Sequence, residues 1–459
     1  MSKNSKPSGA KPIIKEKYLS GKKLAFLGLG LENSALINYL LRKKSQALMT
    51  ICDFRSLAEL GAGVLNFKKK PNIHWRLGQE FNQRLFEFDI LFRSPGWPIF
   101  CPGIQEALRQ APRPPLLTSP MKLFFALCPT RNIIGITGSK GKGTTSAWIV
   151  HLLRAAGRTV WLGGNIGVAP FEFLAKIKKS DWVVLELSSF QLQDFSARPR
   201  IGVITNFFSE HLAAADPNNP NYHRTLAEYW QSKYNLFRGQ HRTDYAVVNK
   251  KLVKRWRKES YQGQVVFYDR LAWPIRLPGR HNQENLAAAA AVAKIAGLSE
   301  KEIKKAAASF RGLEHRLEYV GEIKGVKFYN DSFATTPESA ITALRSFAKP
   351  IILLAGGAEK QSSFRSLALA VRKKAKAVIL FKGSASPRLK KALIQADYHG
   401  SILTFGSMAA AVKSAFRRAQ PGEIILLSPA CASFGLFRNY KDRGKQFKQA
   451  AISLSNQGK

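Results

Sequence analysis

Short apolar runs rich in β-branched residues alternate with stretches of helical periodicity along almost the whole chain. The run KLAFLGLG (23–30) predicts a strand that enters a glycine turn, and a helical pattern around SALINYLLRKK (34–44) follows it. Such alternation is typical of parallel α/β layers. Further strands are predicted at 48–54, 132–138, 159–164, 181–187, 201–208, 245–249, 326–331, 350–357, 375–381, 401–405 and 423–429. The predicted fold class is therefore α/β.

Two boundaries divide this pattern into three blocks. The proline-rich PRPPLLTSP (112–120) marks the first boundary, and FRGLEHRLE (310–318) lies near the second. A length of 459 residues also favours roughly three domains, at about 150 residues each. We predict a basic, mostly disordered tail at 1–20 and domains at 21–116, 117–313 and 314–459.

The composition adds a strong positive charge. The chain has 72 lysines and arginines against 30 acidic residues, a net charge of +42, which favours anionic partners. The basic residues are spread along the chain without a nucleic-acid-binding motif, so a solvated basic surface is the simpler interpretation. Four scattered cysteines, no apolar run of about 18 residues and no signal peptide predict a reduced, cytoplasmic chain without a membrane span.

The stretch NIIGITGSKGKGTTSAWIV (132–150) has the character of a phosphate-binding loop. An apolar strand leads through Gly138 and Gly141 to Lys142 at the start of a helix. Glycines let backbone N–H groups approach phosphate oxygens, and the helix N-terminus adds positive potential. The alternative is a glycine-rich turn without a ligand.

The loop departs from the strict pattern G-x-x-x-x-G-K-[ST] in two places. Ile136 stands where that pattern has its first glycine, and Gly143 stands where it has a hydroxyl. Thr144 or Thr145 is then the candidate magnesium ligand.

Candidate partners for a cation follow the next strands. Glu186 lies near the end of the apolar run DWVVLEL, where an unpaired carboxylate is costly to bury. The run IGVITNFF ends just before Glu210 and His211. A strand-end carboxylate and a histidine beside a phosphate loop would form a magnesium site. Taken alone, His211 fits an ordinary loop histidine better than a ligand.

Two asparagine-containing motifs leave their roles open. RHNQENLAAAAAVA places Asn282 and Asn285 on one face of a helix start, where simple helix capping is the alternative to ligand binding. FYNDSFATTPES places Asn330, Asp331 and Thr335 after a strand, either as an Asx-type turn or as a ligand loop.

The N-terminal GLGLEN is a weak dinucleotide fingerprint. It supplies Gly28 and Gly30, but Asn33 stands at the third glycine position. Asp53 ends the second strand, about where an acid that binds ribose or base would lie. A different phosphate-bearing ligand suits this turn better than a dinucleotide.

Together these motifs resemble the Mur ligase family, in particular its D-glutamate-adding branch. The resemblance covers nearly the whole chain past the tail. It rests on GITGSKGKGTTS, GGNIG, ELSSFQL, HNQEN, GLEHRLE, NDSFATTPES and LLSPACASFGLFRNYKDRGKQF, in the family's order. It implies a Rossmann-like N-terminal domain, a central P-loop-type ATPase domain and a Rossmann-like C-terminal domain.

The resemblance also implies a reaction in peptidoglycan precursor synthesis. ATP phosphorylates the carboxylate of UDP-N-acetylmuramoyl-L-alanine, and the amine of D-glutamate attacks the resulting acyl phosphate. Positioned cations and donors stabilise the transferred charge. Two magnesium ions, a monomeric enzyme and no dedicated nucleic-acid or membrane partner are implied as well.

The resemblance further assigns roles to residues of this chain. The ATP phosphates would be held by Gly138, Gly141, Lys142, Gly143, Thr144 and Thr145. The metal ligands would be Thr144, Glu186, His211 and Lys233, the last as a carbamylated lysine. Other ATP contacts would be Asn282, Asn285, Arg316 and Asp331. The muramoyl nucleotide would be held by Gly30, Asp53, Ser94, Pro95, Gly96, Asn165, Ser188 and Gln191. The D-glutamate site would contain Thr335, Lys360, Ser433 and Tyr440.

Several positions depart from the branch. Gly143 gives a K-G-[ST] loop similar to that of folylpolyglutamate synthases, Phe333 replaces a frequent lysine, and Gly435 replaces a frequent acid. The spacing from His211 to Lys233 is also longer than usual. The alternatives are another amide-forming ATP ligase, a nucleic-acid-binding ATPase and a non-catalytic nucleotide-binding protein. The chirality of the acceptor stays open.

Overall fold

The computed structural model describes residues 16–68, 70–109, 113–214, 220–358 and 362–456. The chain divides into two compact units. The first comprises Met1–Asp269 with Ala291–Ala296, and the second comprises Arg270–Ala290 with Gly297–Lys459. Most of the predicted tail lies outside the described residues. At its end, however, Glu16–Leu19 forms a 3-10 turn, and Leu19 is buried.

The first unit begins with a five-stranded parallel sheet in the order β3-β2-β1-β4-β5. Its strands are β1 Lys23–Leu27, β2 Leu48–Asp53, β3 Ile73–Leu77, β4 Ile90–Arg93 and β5 Leu116–Thr118. The helices here are α1 Leu31–Arg42, α2 Leu57–Leu60, α3 Leu65–Lys68, α4 Pro102–Arg109 and α5 Pro120–Leu127. The strand order reverses between β1 and β4, and a crevice for ligands forms at such a switch point.

A second parallel sheet follows in the same unit, in the order β11-β10-β9-β6-β8-β7. Its strands are β6 Ile133–Thr137, β7 Val160–Gly164, β8 Trp182–Glu186, β9 Ile201–Ile204, β10 Tyr245–Asn249 and β11 Gln264–Tyr268. The helices are α6 Lys142–Ala155, α7 Ser189–Leu192, α8 Leu226–Arg238 and α9 Val253–Trp256. All five residues of β6 are buried, as expected for a central strand covered on both faces.

The second unit contains a six-stranded sheet in the order β12-β13-β17-β14-β15-β16. Its strands are β12 Glu318–Ile323, β13 Val326–Asn330, β14 Ile351–Ala355, β15 Ala375–Phe381, β16 Ser401–Phe405 and β17 Ile424–Leu427. The β12–β13 pair is antiparallel, and the other pairs are parallel.

The remaining helices are α10 Arg280–Ile295, α11 Glu300–Ser309, α12 Pro337–Arg345, α13 Arg365–Lys374, α14 Ser386–Gln395, α15 Met408–Arg418 and α16 Tyr440–Asn456. Further short 3-10 turns occur at Gly61–Val64, Gly78–Glu80, Leu85–Glu87, Pro170–Glu172, Leu174–Lys176 and Lys250–Leu252. Within the described ranges, no helix is long and apolar enough to cross a membrane.

The α/β class is confirmed, and the differences from the predicted elements are local. Strand β9 ends at Ile204 instead of residue 208, because the chain leaves the sheet there to contact the phosphate loop. Strand β5 and the start of α5 occupy the proline-rich stretch that was predicted as a boundary. The domain limits at 116 and 313 stay predictions.

Candidate active site

The phosphate-binding loop lies between β6 and α6. Gly138 has a φ of +141° and Gly141 a φ of +81°, values that glycine adopts most easily. A Cβ atom on Gly138 would lie 2.0 Å from Thr205 Oγ1. Gly143 is buried and Thr144 is half-buried in the first turn of α6. The N–H groups at the start of this helix are suited to bind an anion.

The segment after β9 fixes the shape of this loop. Thr205 Oγ1 donates to Lys140 O at 2.7 Å, and Lys140 N donates to Asn206 Oδ1 at 2.8 Å. Ser139 N donates to Asn206 O at 3.1 Å, and Ser139 Oγ lies 3.0 Å from Tyr229 OH on α8. Hydrogen bonds within the protein therefore hold the loop in one conformation.

Two lysines converge on the first carbonyl of the loop. Lys142 Nζ donates to Gly138 O at 3.0 Å and to Ser139 O at 3.1 Å. Lys233 on α8 donates from Nζ to the same Gly138 O at 2.9 Å, and it is 1% exposed. Burial, and then the charge of Lys142, lower the pKa of Lys233 well below its ordinary value, while Glu210 opposes them. Burial therefore disfavours the charged form of the Lys233 amine.

Glu186 ends β8 beside the loop. It pairs in register with Ile136 of β6, and its side chain is buried. Its Oε1 accepts a hydrogen bond from Asn165 Nδ2 at 2.9 Å, and its carbonyl accepts one from Asn165 N at 2.8 Å. The structure thus brings these two predicted residues together, and Asn165 orients the Glu186 carboxylate.

His211 lies in the segment after β9, with a φ of +59°. Its carbonyl accepts from His223 N at 2.8 Å, and its ring centroid lies 5.2 Å from that of Phe190. His223 is buried, with Nε2 2.9 Å from Ser189 Oγ. Burial lowers the pKa of His211, nearby lysines add to this, and Glu210 opposes them. A neutral imidazole is the form that binds metal ions.

These donors fit magnesium when phosphate oxygens complete the set. Across the described ranges, no group of three or more His, Cys, Asp and Glu side chains is placed to hold a metal ion. Magnesium seldom needs such a cage, because it is usually bound by one or two carboxylates, water and substrate phosphates. The Glu186 carboxylate and the Thr144 hydroxyl are donors of this kind.

A cavity of about 590 Å³ opens at the carboxyl ends of β1, β2 and β4. Its lining includes seven residues predicted to hold the muramoyl nucleotide: Gly30, Asp53, Ser94, Pro95, Gly96, Asn165 and Gln191. Ser188 is not part of the lining and instead caps α7, where its Oγ accepts from Gln191 N at 3.2 Å. Arg55, Trp97 and Phe100 also line the cavity and were not predicted from the sequence.

The Asp53 carboxylate accepts several hydrogen bonds from within the protein. It accepts from Leu29 N at 2.8 Å and from Arg55 Nε and Nη2 at 2.9 and 2.8 Å. Burial alone would raise the pKa of Asp53, but the hydrogen bonds from Arg55 and Leu29 lower it below the ordinary value. The ion pair places the Arg55 guanidinium beside the cavity.

Gln191 reaches from the second sheet toward Glu32 on α1. Gln191 Nε2 donates to Glu32 Oε1, and Gln191 Oε1 accepts from Ser188 N at 2.7 Å. Both ends of the Gln191 amide are therefore engaged within the protein. Burial raises the pKa of Glu32 to about 7, although the bond from Gln191 and the charge of Arg93 oppose the shift.

In the second unit, Asp331 follows β13 and is buried. Its Oδ1 accepts from Leu317 N at 3.2 Å, and its Oδ2 accepts from Ser428 Oγ at 2.8 Å. Burial raises the pKa of Asp331 to about 7 against these hydrogen bonds. Ser332 N donates to Asn330 Oδ1 at 3.2 Å, so the Asx-type turn is present at this position.

Arg443 organises the loops around the predicted acceptor site. It is fully buried, and it donates to Ser332 Oγ at 3.0 Å, Ser332 O at 2.9 Å and Cys431 O at 3.2 Å. The predicted residues Ser433 and Tyr440 flank these contacts in sequence, and Tyr440 O accepts from Ser332 Oγ at 2.8 Å. Arg443 lies in the motif LLSPACASFGLFRNYKDRGKQF but was not among the predicted site residues.

Phe333 forms a support for Arg316. The Arg316 guanidinium carbon lies 4.0 Å from the Phe333 ring centroid, and the Tyr440 ring meets Phe333 edge-on at 5.0 Å. The aromatic residue that replaces the expected lysine thus holds another cation by a cation–π contact. Thr335 is half-buried nearby in sequence, and Lys360 lies outside the described residues.

The Asn282 side chain does not cap its helix. Asn282 Nδ2 donates to Pro278 O at 2.7 Å, and Asn285 Nδ2 donates to Asn282 Oδ1 at 3.3 Å. Both residues are buried in the second unit. A capping side chain accepts from a helix N–H group, which is the reverse of the contact Asn282 makes with Pro278.

Comparison with known proteins defines the class to which this fold and site belong. Residues 136–272 match the Mur ligase middle domain, and residues 315–431 match the Mur ligase, glutamate ligase domain. The chain belongs to the Mur ligase family.

Individual relatives are similar over almost their full length. The UDP-N-acetylmuramoylalanine–D-glutamate ligase of Symbiobacterium thermophilum is 37% identical, covering 94% of this chain and 98% of the relative. The protein of the same name from Acetivibrio thermocellus is 36% identical, covering 96% and 98%.

Solved structures share the fold at lower identity. The UDP-N-acetylmuramate–alanine ligase of Thermotoga maritima has a TM-score of 0.54 at 18% identity, covering 94% of this chain and 100% of that one. The MurF ligase of Thermotoga maritima, solved with ADP, has a TM-score of 0.52 at 16% identity, covering 96% and 97%.

Proposed function

We propose that this chain is an ATP-dependent ligase that joins D-glutamate to UDP-N-acetylmuramoyl-L-alanine in peptidoglycan precursor synthesis. The observation that carries the proposal is the convergence of Lys142 and Lys233 on the carbonyl oxygen of Gly138, with Glu186 in register with Ile136 just before the loop. A cavity large enough for a nucleotide sugar opens in the same unit. The full-length relatives add the choice of substrates.

The chemistry proceeds in two steps. A carboxylate oxygen of UDP-N-acetylmuramoyl-L-alanine attacks the γ-phosphorus of ATP, and the bond to ADP breaks to leave an acyl phosphate. The amine of D-glutamate then attacks the acyl carbon and loses a proton. The tetrahedral intermediate collapses to an amide and inorganic phosphate. The loop N–H groups and Lys142 hold the charge of the phosphates throughout.

Magnesium would be held by Glu186, His211 and the Thr144 hydroxyl, and it would neutralise phosphate oxygens during transfer. Lys233 suits carbamylation because its pKa is lowered by burial. An uncharged amine can form the N–C bond with carbon dioxide and release a proton, whereas an ammonium group has no free electron pair. The carbamate would supply a further oxygen ligand to a second ion.

The three substrates occupy separate groups of residues. The nucleotide end of the donor would lie at Asp53, with its diphosphate at Gly30 and at Ser94–Gly96. Its muramoyl end would lie near Asn165. ATP would also use Asn282, Asn285, Arg316 and Asp331. D-glutamate would be held by Thr335, Lys360, Ser433 and Tyr440. We propose that a single copy of the chain carries out the reaction.

Phosphate release from ATP tests this function. The assay contains Mg²⁺ and UDP-N-acetylmuramoyl-L-alanine, with D-glutamate, L-glutamate or no acceptor, each with and without added bicarbonate. We expect release that depends on D-glutamate and rises with bicarbonate. Lys142→Ala should lower kcat by at least about 100-fold, while Lys176→Ala, an exposed lysine, should not change it. A rate of phosphate release that does not depend on D-glutamate would contradict the proposed acceptor.

A further inference from the structure

Arg93 is a buried cation directly before the cavity loop Ser94–Gly96. It ends β4 and is 1% exposed. Its Nη1 donates to Trp97 O at 2.9 Å, which closes the loop onto the guanidinium. Its Nη2 donates to Phe190 O at 3.0 Å, in the segment that carries Gln191. One side chain therefore binds both walls of the cavity.

Asp194 holds Arg93 in this position. Asp194 Oδ1 accepts from Arg93 Nη2 at 2.8 Å, and Asp194 Oδ2 accepts from Lys122 Nζ on α5 at 2.6 Å. Burial alone would raise the pKa of Asp194, but the two cations lower it to about 2. The carboxylate thus stays ionised, and its two oxygens fix the two cations.

The two walls belong to different sheets of the first unit. Residues 94–98 follow β4 of the first sheet, whereas Asn165 and Gln191 follow β7 and β8 of the second sheet. The proposed donor must contact both walls, because its nucleotide end and its reacting carboxylate lie at opposite ends of the molecule. A fixed distance between the walls would therefore set where the carboxylate meets the phosphate loop.

We infer that Arg93, held by Asp194, is a positioning residue. It fixes the wall formed by residues 94–98, which would contact the nucleotide end of the donor, relative to the wall that carries Asn165 and Gln191, which would contact the muramoyl end. The inference rests on the proposed function. A buried ion pair is weak support for stability, since apolar residues of similar volume often serve as well. The pair can still fix the geometry of the cavity, and geometry matters because a small displacement of a reacting group lowers the reaction rate. The planar guanidinium fork holds its donors in fixed, separate directions toward the two walls, which the compact lysine ammonium does not.

A second buried carboxylate provides a matched control. Asp244 is buried and pairs with Arg198 at 3.3 Å and Arg131 at 3.6 Å, so it also faces two cations in the first unit. Asp244, Arg198 and Arg131 are not part of the cavity lining. Asp244→Asn should therefore alter stability without altering the cavity.

The experiment measures binding to the full chain of two ligands, UDP-N-acetylmuramoyl-L-alanine and UDP, by calorimetry without ATP. Asp194→Asn and Arg93→Lys should each weaken the full donor by about 10-fold or more. UDP contacts one wall, so its affinity should fall by less than about 3-fold. Asp244→Asn should leave both affinities unchanged while lowering the melting temperature. Lys122→Met, which keeps the Arg93–Asp194 pair, is the milder variant if Asp194→Asn does not fold.

Four results would overturn the inference. Equal weakening of UDP and the full donor would mean that the loop itself collapses. Equal effects of Asp194→Asn and Asp244→Asn on binding would mean a general loss of stability. Wild-type affinity for the full donor in Arg93→Lys would show that the fork is not needed. If the wild-type chain bound neither ligand, the proposed substrate would be wrong and the inference would fall with it.

Discussion

Glu32 shows how a buried carboxyl beside the cavity depends on proton binding. It is 9% exposed, and its Oε2 has no hydrogen-bond partner among the described residues. Gln191 donates to the other oxygen, and the charge of Arg93 also favours the ionised form. Burial is the larger effect, so the folded protein holds the pKa of Glu32 at about 7 instead of 4.5.

Replacing Glu32 by glutamine should stabilise the protein at high pH. The folded pKa is about 7 and the unfolded value 4.5, so the folded state binds more protons between them and stability falls as pH rises. Below pH 4.5 the wild type and Glu32→Gln should unfold alike. At pH 8 the variant should be more stable by at most about 3 kcal/mol. Denaturant unfolding at several pH values measures the difference.

An exposed carboxylate serves as the control for this measurement. Glu59 accepts hydrogen bonds from Ser56 at the start of α2, which lower its pKa. Glu59→Gln should therefore gain no stability at pH 8. A gain from Glu32→Gln that is the same at pH 5 and pH 8 would contradict the shifted pKa.

Residues that end or follow an apolar strand could be located from the sequence, and their roles stay predictions. Lys142 and Glu186 stand out because each ends or follows an apolar strand, and the structure places both at the loop. Arg93 could not be predicted as a connecting residue, since its contacts reach Phe190 and Asp194, which are 97 and 101 positions away. Only the folded chain brings such residues together.

At the scale of elements, the phosphate loop depends on one backbone conformation. Gly138 combines a φ of +141° with a Cβ position 2.0 Å from Thr205 Oγ1. Thr205 in turn donates to Lys140 O, so it cannot move aside without releasing the loop. A side chain added at Gly138 would therefore meet both an unfavourable backbone conformation and a steric clash with Thr205.

Gly138→Ala should weaken ATP binding by at least about 10-fold, because the loop must open to admit the methyl group. Gly157→Ala is the matched control: it has a φ of +73° after α6, with nothing within 4 Å of the added Cβ. That variant should cost about 1–2 kcal/mol of stability and leave ATP binding unchanged. Calorimetry with ATP and Mg²⁺ measures both. Wild-type affinity in Gly138→Ala would mean that the loop tolerates rearrangement.

Apolar runs made most of the strands predictable from the sequence. Strands β10, β15 and β16 match their predicted ranges, and β6 and β8 differ little from theirs, because apolar runs mark them. Strands β3, β4, β5, β11 and β12 were not predicted. Strands β3, β11 and β12 lie at sheet edges and carry exposed or polar residues, β5 is an edge strand of three residues, and β4 is buried but has only four residues and ends in Arg93. Strand β12 is also antiparallel, which the parallel α/β pattern does not include.

For the whole molecule, the net charge of +42 must act on substrates that are themselves anions. A positive field raises the rate at which anions reach a site, and salt screens it over about 10 Å at 0.1 M. The positive field therefore changes the association rate of the substrates and does not determine the fold.

The association rate of UDP should therefore fall by about 3-fold or more between 50 and 500 mM salt. Uridine, which is neutral, should associate at nearly the same rate throughout, and it controls for effects of salt on the protein. Trp97 lines the cavity, so stopped-flow tryptophan fluorescence can follow both ligands. Because the field acts on the approach of the ligand, the dissociation rate should change less than the association rate. An association rate for UDP that stayed constant across this range would show that the basic surface does not serve substrate capture.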